Sequence, residues 1–287
     1  MSDLTHLAGR IAAREAAAAP PVRKGCEARI VWAGEPATET DLAIVYIHGF
    51  SASPEEIRPV PDRVAAALGA NLYFARLTGH GQGGPAMADA TLEAWRKDVD
   101  DALRIGRSLG RRVLLMGCST GCTLGTLAAV AGAELAGVIH VSPNFALVPK
   151  ALQWFVDLPG ASTWGPWIAG RERVIEPISE AHDRFWTNRY PTRAIDPMVK
   201  ALRAVRAAKL GTITAPALFL YCREDKIVSP QETERTRARW GGPTTAHVVT
   251  LGPEDDENRH VIAGDVMSPS QNDGVVDVMV SWARKAL

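Results

Sequence analysis

Residues 112–131 read RVLLMGCSTGCTLGTLAAVA. Arg112–Met116 leads into an unbroken apolar run, the composition of a strand buried on both faces of a parallel sheet. Thr120–Ala131, rich in Ala, Leu and Thr, suits a tightly packed helix. Between them Gly117-Cys118-Ser119-Thr120-Gly121 fits G-x-S-x-G. The pattern alone is weak, but between a strand and a helix it becomes a sharp turn that lifts a serine hydroxyl off the sheet edge. Small residues at Gly117 and Gly121 let strand and helix approach closely, and the turn strains the residue at its apex. Ser119 is therefore the candidate nucleophile.

The same alternation extends outward in both directions. Leu42–Ile47 (LAIVYI), Asn71–Ala75 (NLYFA), Val138–Val141, Ala217–Tyr221 (ALFLY) and His247–Leu251 (HVVTL) read as strands. Ser53-Pro54-Glu55-Glu56 has the N-cap serine, N1 proline and N3 glutamate of a helix start, and predicts a helix to about Leu68. Leu92–Leu109 places Trp95, Val99, Ala102 and Leu103 at helical spacing, and Gln231–Trp240 and Val275–Leu287 also read as helices. Strand and helix alternate throughout, so the fold class is α/β, with a mostly parallel central sheet flanked by helices in a single domain over 1–287. The opening MSDLTHLAGRIAAREAAAAPP reads as a short amphipathic helix ended by Pro20 and Pro21. Residues 143–210 break the rhythm: they show no clear strand and hold Trp154, Trp164, Trp167 and Trp186, half of the eight tryptophans. An apolar insertion between two strands is expected to form a cap over the C-terminal sheet edge, where open α/β sheets bind ligands.

A serine hydroxyl needs a base within hydrogen-bond reach. After a nucleophile of this kind the chain order is acid, then histidine. Of the histidines after Ser119, His182 lies in the insertion and His247 at a strand start, whereas His260 follows the last strand in the polar loop after Gly252–Arg259. His260 is the candidate base. Asp225 in Arg223-Glu224-Asp225-Lys226, just past ALFLYC, is the candidate acid, with Glu224 its rival. The acidic run Glu254–Glu257 reads as a solvated loop. An oxyanion needs two backbone donors: Thr120, at a helix N-terminus, and Phe50 in His48-Gly49-Phe50, in the loop after LAIVYI.

Length permits one large core, and 32 basic against 32 acidic residues advertise no face for nucleic acid. No apolar run is long enough for an integral membrane segment, and Arg10, Arg14 and Glu15 interrupt any signal-peptide core, so a cytoplasmic location is expected. Cys26, Cys118, Cys122 and Cys222 are too few for a disulfide scaffold and read as buried thiols. Nothing in the sequence sets the oligomeric state.

On these pieces the chain resembles bacterial carboxylesterases and monoacylglycerol lipases of the α/β-hydrolase superfamily. The matching motifs are HGFSASP from His48, RLTGHG from Arg76, Trp95 with Asp98-Val99, the Ser119 turn, Arg223-Glu224-Asp225 and His260-Val261-Ile262. The resemblance implies an α/β-hydrolase fold with an inserted cap and a Ser119–His260–Asp225 triad. It also implies a small ester substrate with an apolar acyl group, and chemistry needing no metal or organic cofactor. The Arg76–Gly81 loop, with His80, is expected to shape the site mouth. An amidase, peptidase, thioesterase or acyltransferase would use the same triad, and a ligand-binding homologue would keep the scaffold without turnover. The chain departs from the family pattern at Thr120-Gly121-Cys122, where Met-Gly-Gly is common, and at Arg259, where a small residue is usual. It departs also in the long polar stretch after Ile262 and in residues 1–40.

Overall fold

The computed structural model describes residues 4–148 and 170–287, and a seven-stranded sheet runs through its centre. The strands are β1 (Arg29–Val31), β2 (Thr40–Ile47), β3 (Asn71–Ala75), β4 (Gly110–Cys118), β5 (Gly137–Val141), β8 (Ala217–Tyr221) and β9 (Thr244–Val248). Their spatial order is β1-β3-β2-β4-β5-β8-β9, with only β1 antiparallel to its neighbour. A separate hairpin pairs β6 (Glu172–Val174) with β7 (Arg189–Pro191).

Helices cover both faces, as buried parallel strands require. Along β2 the side chains alternate: Ala43, Val45 and Ile47 enter one core, Ile44 and Tyr46 the other. The first core takes Trp95, Val99 and Leu103 of α4 (Leu92–Leu109) and Leu124 of α5 (Thr120–Val130). Val205 of α7 (Asp196–Ala207) joins them. The second takes Val60 and Val64 of α2 (Val60–Leu68) and Val275 and Met279 of α9 (Asn272–Ala286). The remaining helices are α1 (Leu4–Ala16), α3 (Gly84–Ala88), α6 (Glu180–Phe185) and α8 (Pro230–Arg239). Among the described residues no helix is long and apolar enough to cross a membrane. All four cysteines are free and buried.

Three expectations need correction. The helix expected from Ser53 begins only at Val60, because residues 54–59 form turns and Pro59 and Pro61 withhold backbone donors. The expected strand at 247–251 lies earlier, at Thr244–Val248, in register with β8 from Ala217↔Thr244. Residues 143–210 do contain strands, β6 and β7; β6 is exposed throughout, so no apolar alternation marks it. Trp186 is buried there, while Trp154, Trp164 and Trp167 lie outside the described residues.

The N-terminal segment ties the sheet to this insertion. The Arg23 N–H donates to the Gly81 carbonyl at 2.8 Å, and its guanidinium reaches the Asp183 carbonyl at 3.1 Å and Thr187 Oγ1 at 3.2 Å. Arg184 Nε returns a bond to the Lys24 carbonyl at 3.2 Å. Glu15, buried at the end of α1, accepts Arg76 Nε at 2.5 Å and the Ala28 N–H at 3.1 Å.

Candidate active site

The Ser119 turn joins β4, the middle strand, to α5. Ser119 has φ 49° and ψ −113°, a left-handed conformation rare for a side-chain-bearing residue. Its N–H donates to the Val141 carbonyl at 2.9 Å, and its carbonyl accepts the Cys122 and Asn144 N–H groups at 3.0 and 3.1 Å. Gly121 is the close-packing position: a Cβ there would collide with the Ile47 and His48 carbonyls of β2 and its loop. Positive φ recurs at Ser51 after β2, Ser142 after β5 and Arg259 before His260. Apart from Ala37, every such non-glycine residue described lies at this sheet edge, where strain of about 1–3 kcal/mol per residue is held by the surroundings.

Three side chains from different loops meet here. His260 Nε2 lies 3.0 Å from Ser119 Oγ, and its Nδ1 lies 2.8 Å from Asp225 Oδ2. Asp225 Oδ1 in turn accepts the Ile227 and Val228 N–H groups at 2.8 and 2.9 Å, which orients the carboxylate. The imidazole keeps 13% exposure while the Asp225 side chain keeps 1%, so solvent reaches an edge of the histidine but not the carboxylate. Burial alone would lower the His260 pKa; the Asp225 carboxylate, with Glu56 and Asp256 behind it, outweighs burial and raises it above the usual histidine value. Glu224 is exposed, His247 lies within β9, and His182 packs on Trp186 with ring centroids 5.0 Å apart.

The two expected backbone donors flank the serine because β2 and β4 are adjacent. Phe50 follows β2 and Thr120 opens α5, and among the described residues neither N–H has an acceptor. His48 orients the first of them. Its Nε2 accepts the Leu77 N–H at 3.1 Å, so the ring proton is on Nδ1, which donates to the Gly49 carbonyl at 2.8 Å. Gly49 C=O and Phe50 N–H share one peptide plane, so turning the carbonyl toward His48 turns the N–H away from it. Burial lowers the His48 pKa to about 4 and keeps the ring neutral. His80 is fully buried and packs between Trp95 and Phe50, with ring centroids 5.4 and 6.0 Å away, so its own side chain is not exposed at a mouth.

Three buried acids escaped the sequence reading. The run Glu254–Glu257 is not simply solvated: Asp255 and Asp256 are 5% and 4% exposed. Asp256 Oδ2 accepts the N–H groups of His260 and Val261, both at 2.9 Å. Glu56, expected at a helix start, turns inward behind Gly49 instead.

This layout, a serine on a strained strand–helix turn with acid and histidine from later strand ends, agrees with a family model matching residues 44–266. The chain belongs to the alpha/beta hydrolase family. Among alpha/beta hydrolases it resembles the thermostable monoacylglycerol lipase of Bacillus sp. (strain H-257), with 24% identity over 197 residues. That match spans 66% of this chain and 72% of the relative. Of solved alpha/beta hydrolase structures, one from work on the metagenome-derived lipolytic enzymes LipS and LipT superposes with TM-score 0.74 at 21% identity. It covers 92% of this chain and 99% of its own. The monoacylglycerol lipase of Paleococcus ferrophilus superposes with TM-score 0.65 at 18% identity, over 91% of this chain and all of its own.

Proposed function

We propose that the protein is a serine hydrolase that cleaves carboxylic esters by way of an acyl-enzyme. The reading rests on one observation above the others: His260 bridges Ser119 Oγ at 3.0 Å and Asp225 Oδ2 at 2.8 Å. His260 takes the hydroxyl proton as Ser119 attacks the ester carbonyl, then gives it to the departing alkoxide. Asp225 holds the proton-bearing Nδ1 and stabilises the imidazolium without taking its proton. The Phe50 and Thr120 N–H groups receive the oxyanion, with Thr120 at the positive end of α5. Water activated by the same histidine then releases the acid. The names of the relatives, lipases and monoacylglycerol lipases, support an ester with an apolar acyl group. In this reading residues 143–210 act as a cap over the site.

Hydrolysis of p-nitrophenyl esters from acetate to palmitate, with Ser119→Ala as control, tests the proposal. Serine-dependent turnover is expected, with Ser119→Ala lower by several orders of magnitude and equally stable. Undiminished turnover in a folded Ser119→Ala protein would overturn it, as would a wild type inert to every ester but active on an amide or thioester.

A further inference from the structure

Glu56 is buried beside the site at 3% exposure, and the chemistry above gives it no part. Its Oε2 accepts the Gly49 N–H at 2.7 Å and the Tyr46 hydroxyl at 3.1 Å. Burying a carboxylate is costly, and an apolar side chain of the same size would fill the space at no such cost. Desolvation pushes its pKa up, and the Gly49 N–H, His260, Cys118 and Tyr46 pull it back.

The position of these bonds explains what the acid is for. A Cβ on Gly49 would sit 2.5 Å from Glu56 Oε1 and 3.1 Å from Ser119 Cβ, so carboxylate and nucleophile close on this residue from two sides. Glycine is needed there, and glycine is also the residue with the freest backbone. That freedom is removed at both ends: Glu56 holds the Gly49 N–H and His48 holds the Gly49 carbonyl. The turn bearing Glu56 also touches the histidine loop. The Asp265 N–H donates to the Arg58 carbonyl at 2.9 Å, and a Cβ on Gly264 would lie 2.9 Å from the Glu56 carbonyl.

Building on the hydrolase reading, we infer that Glu56 is a positioning residue: by pinning Gly49 it keeps the Phe50 N–H aimed at the oxyanion. It touches neither substrate nor the reacting atoms and acts only through the glycine. Glu56 Oε2 serves as an acceptor there, so an amide oxygen at the same reach can replace it.

The test compares wild type, Glu56→Ala, Glu56→Gln and Glu56→Asp, with kcat and KM expressed per site titrated by a fluorophosphonate. Inhibition by an alkylboronic acid, which forms a tetrahedral adduct on the serine, is measured alongside. Glu56→Ala is expected to lose roughly tenfold to a hundredfold in kcat with KM within about threefold, and boronate affinity should fall in parallel. Glu56→Gln recovers most of the loss. Glu56→Asp, charged but one methylene short, does not. Turnover per titrated site within about twofold of wild type in Glu56→Ala would overturn the inference, as would a loss confined to KM. Should Glu56→Ala fail to fold, the other two decide: a fast Gln and slow Asp variant support pinning, and the reverse order overturns it. Activity surviving in Ser119→Ala would remove the hydrolase reading and this inference together. An inert Ser119→Ala beside a normal Glu56→Ala removes this inference alone.

Discussion

The Asp256 carboxylate accepts the backbone N–H of His260 at 2.9 Å, so the residue four positions before the imidazole holds the loop that presents it. The same oxygen takes the Val261 N–H, the other takes the Asn258 N–H at 3.1 Å, and Ser268 Oγ joins the Asp256 N–H to the Val261 carbonyl. Asp256→Ala leaves buried donors without an acceptor, at about 1–3 kcal/mol each. We expect a urea midpoint lowered by the equivalent of about 2 kcal/mol or more and kcat/KM down at least roughly tenfold. Asp256→Asn, which keeps one acceptor oxygen, should fall between. An unchanged kcat/KM in Asp256→Ala would show that the loop holds His260 without this acid.

Strain at Ser119 gives a second expectation. Ser119→Ala removes the hydroxyl but keeps a Cβ at φ 49°, whereas Ser119→Gly removes both. Both variants should be inactive, and the glycine variant should be the more stable by about 1 kcal/mol despite its freer unfolded chain. Thermal melts of the pair check this; equal midpoints would mean that the turn stores no strain.

Acidification should silence the enzyme at a pH set by its ion pair. A raised His260 pKa means that the imidazole gains its proton at a higher pH than a free histidine, and the protonated ring is no base. The acid limb of kcat/KM should therefore lie above pH 6.5, the ordinary histidine value. Asp225→Asn removes the leading attraction and leaves burial in charge, with Glu56 and Asp256 as the remaining acids, so the limb of its residual activity should move down. A limb that stays in place would assign it to another group.

Gly121→Ala probes the packing of the turn. The added methyl would strike the Ile47 and His48 carbonyls, backbone atoms of a buried strand and the loop that follows it. A loss of about 1–3 kcal/mol in urea unfolding is expected, with turnover falling as the turn shifts. Gly132→Ala, where nothing lies within 4 Å but φ is +90°, measures the cost of backbone strain alone.

Much of this arrangement is written locally in the chain. Asn71–Ala75 and Leu92–Leu109 form a strand and a helix with the bounds their apolar patterns give, because each pattern matches the face or faces it buries. Ser119, Asp225 and His260 are legible for a related reason: each follows a strand, and strands of a parallel sheet deliver their loops to one edge. Glu56 and Asp256 are not legible in this way. A charged residue reads as solvent-facing unless its partners are known, and theirs are backbone N–H groups: that of a glycine in the preceding loop for Glu56, and those of Asn258, His260 and Val261 for Asp256. The helix expected from Ser53 fails for a kindred reason, since its capping glutamate is engaged elsewhere. The β6–β7 hairpin is held by pairing between segments that show no apolar alternation, which a window of a few residues does not reveal.

The cross-links made by Arg23 and Lys24 reach residues 183, 184 and 187, about 160 positions away in the chain. They leave from a stretch that precedes the family-matched span of 44–266. The head of the chain is thus a guy-rope, staked near the sheet and fastened to the segment around residues 183–187. Trimming the protein to its family-matched portion would keep Ser119, Asp225 and His260 and cut that rope.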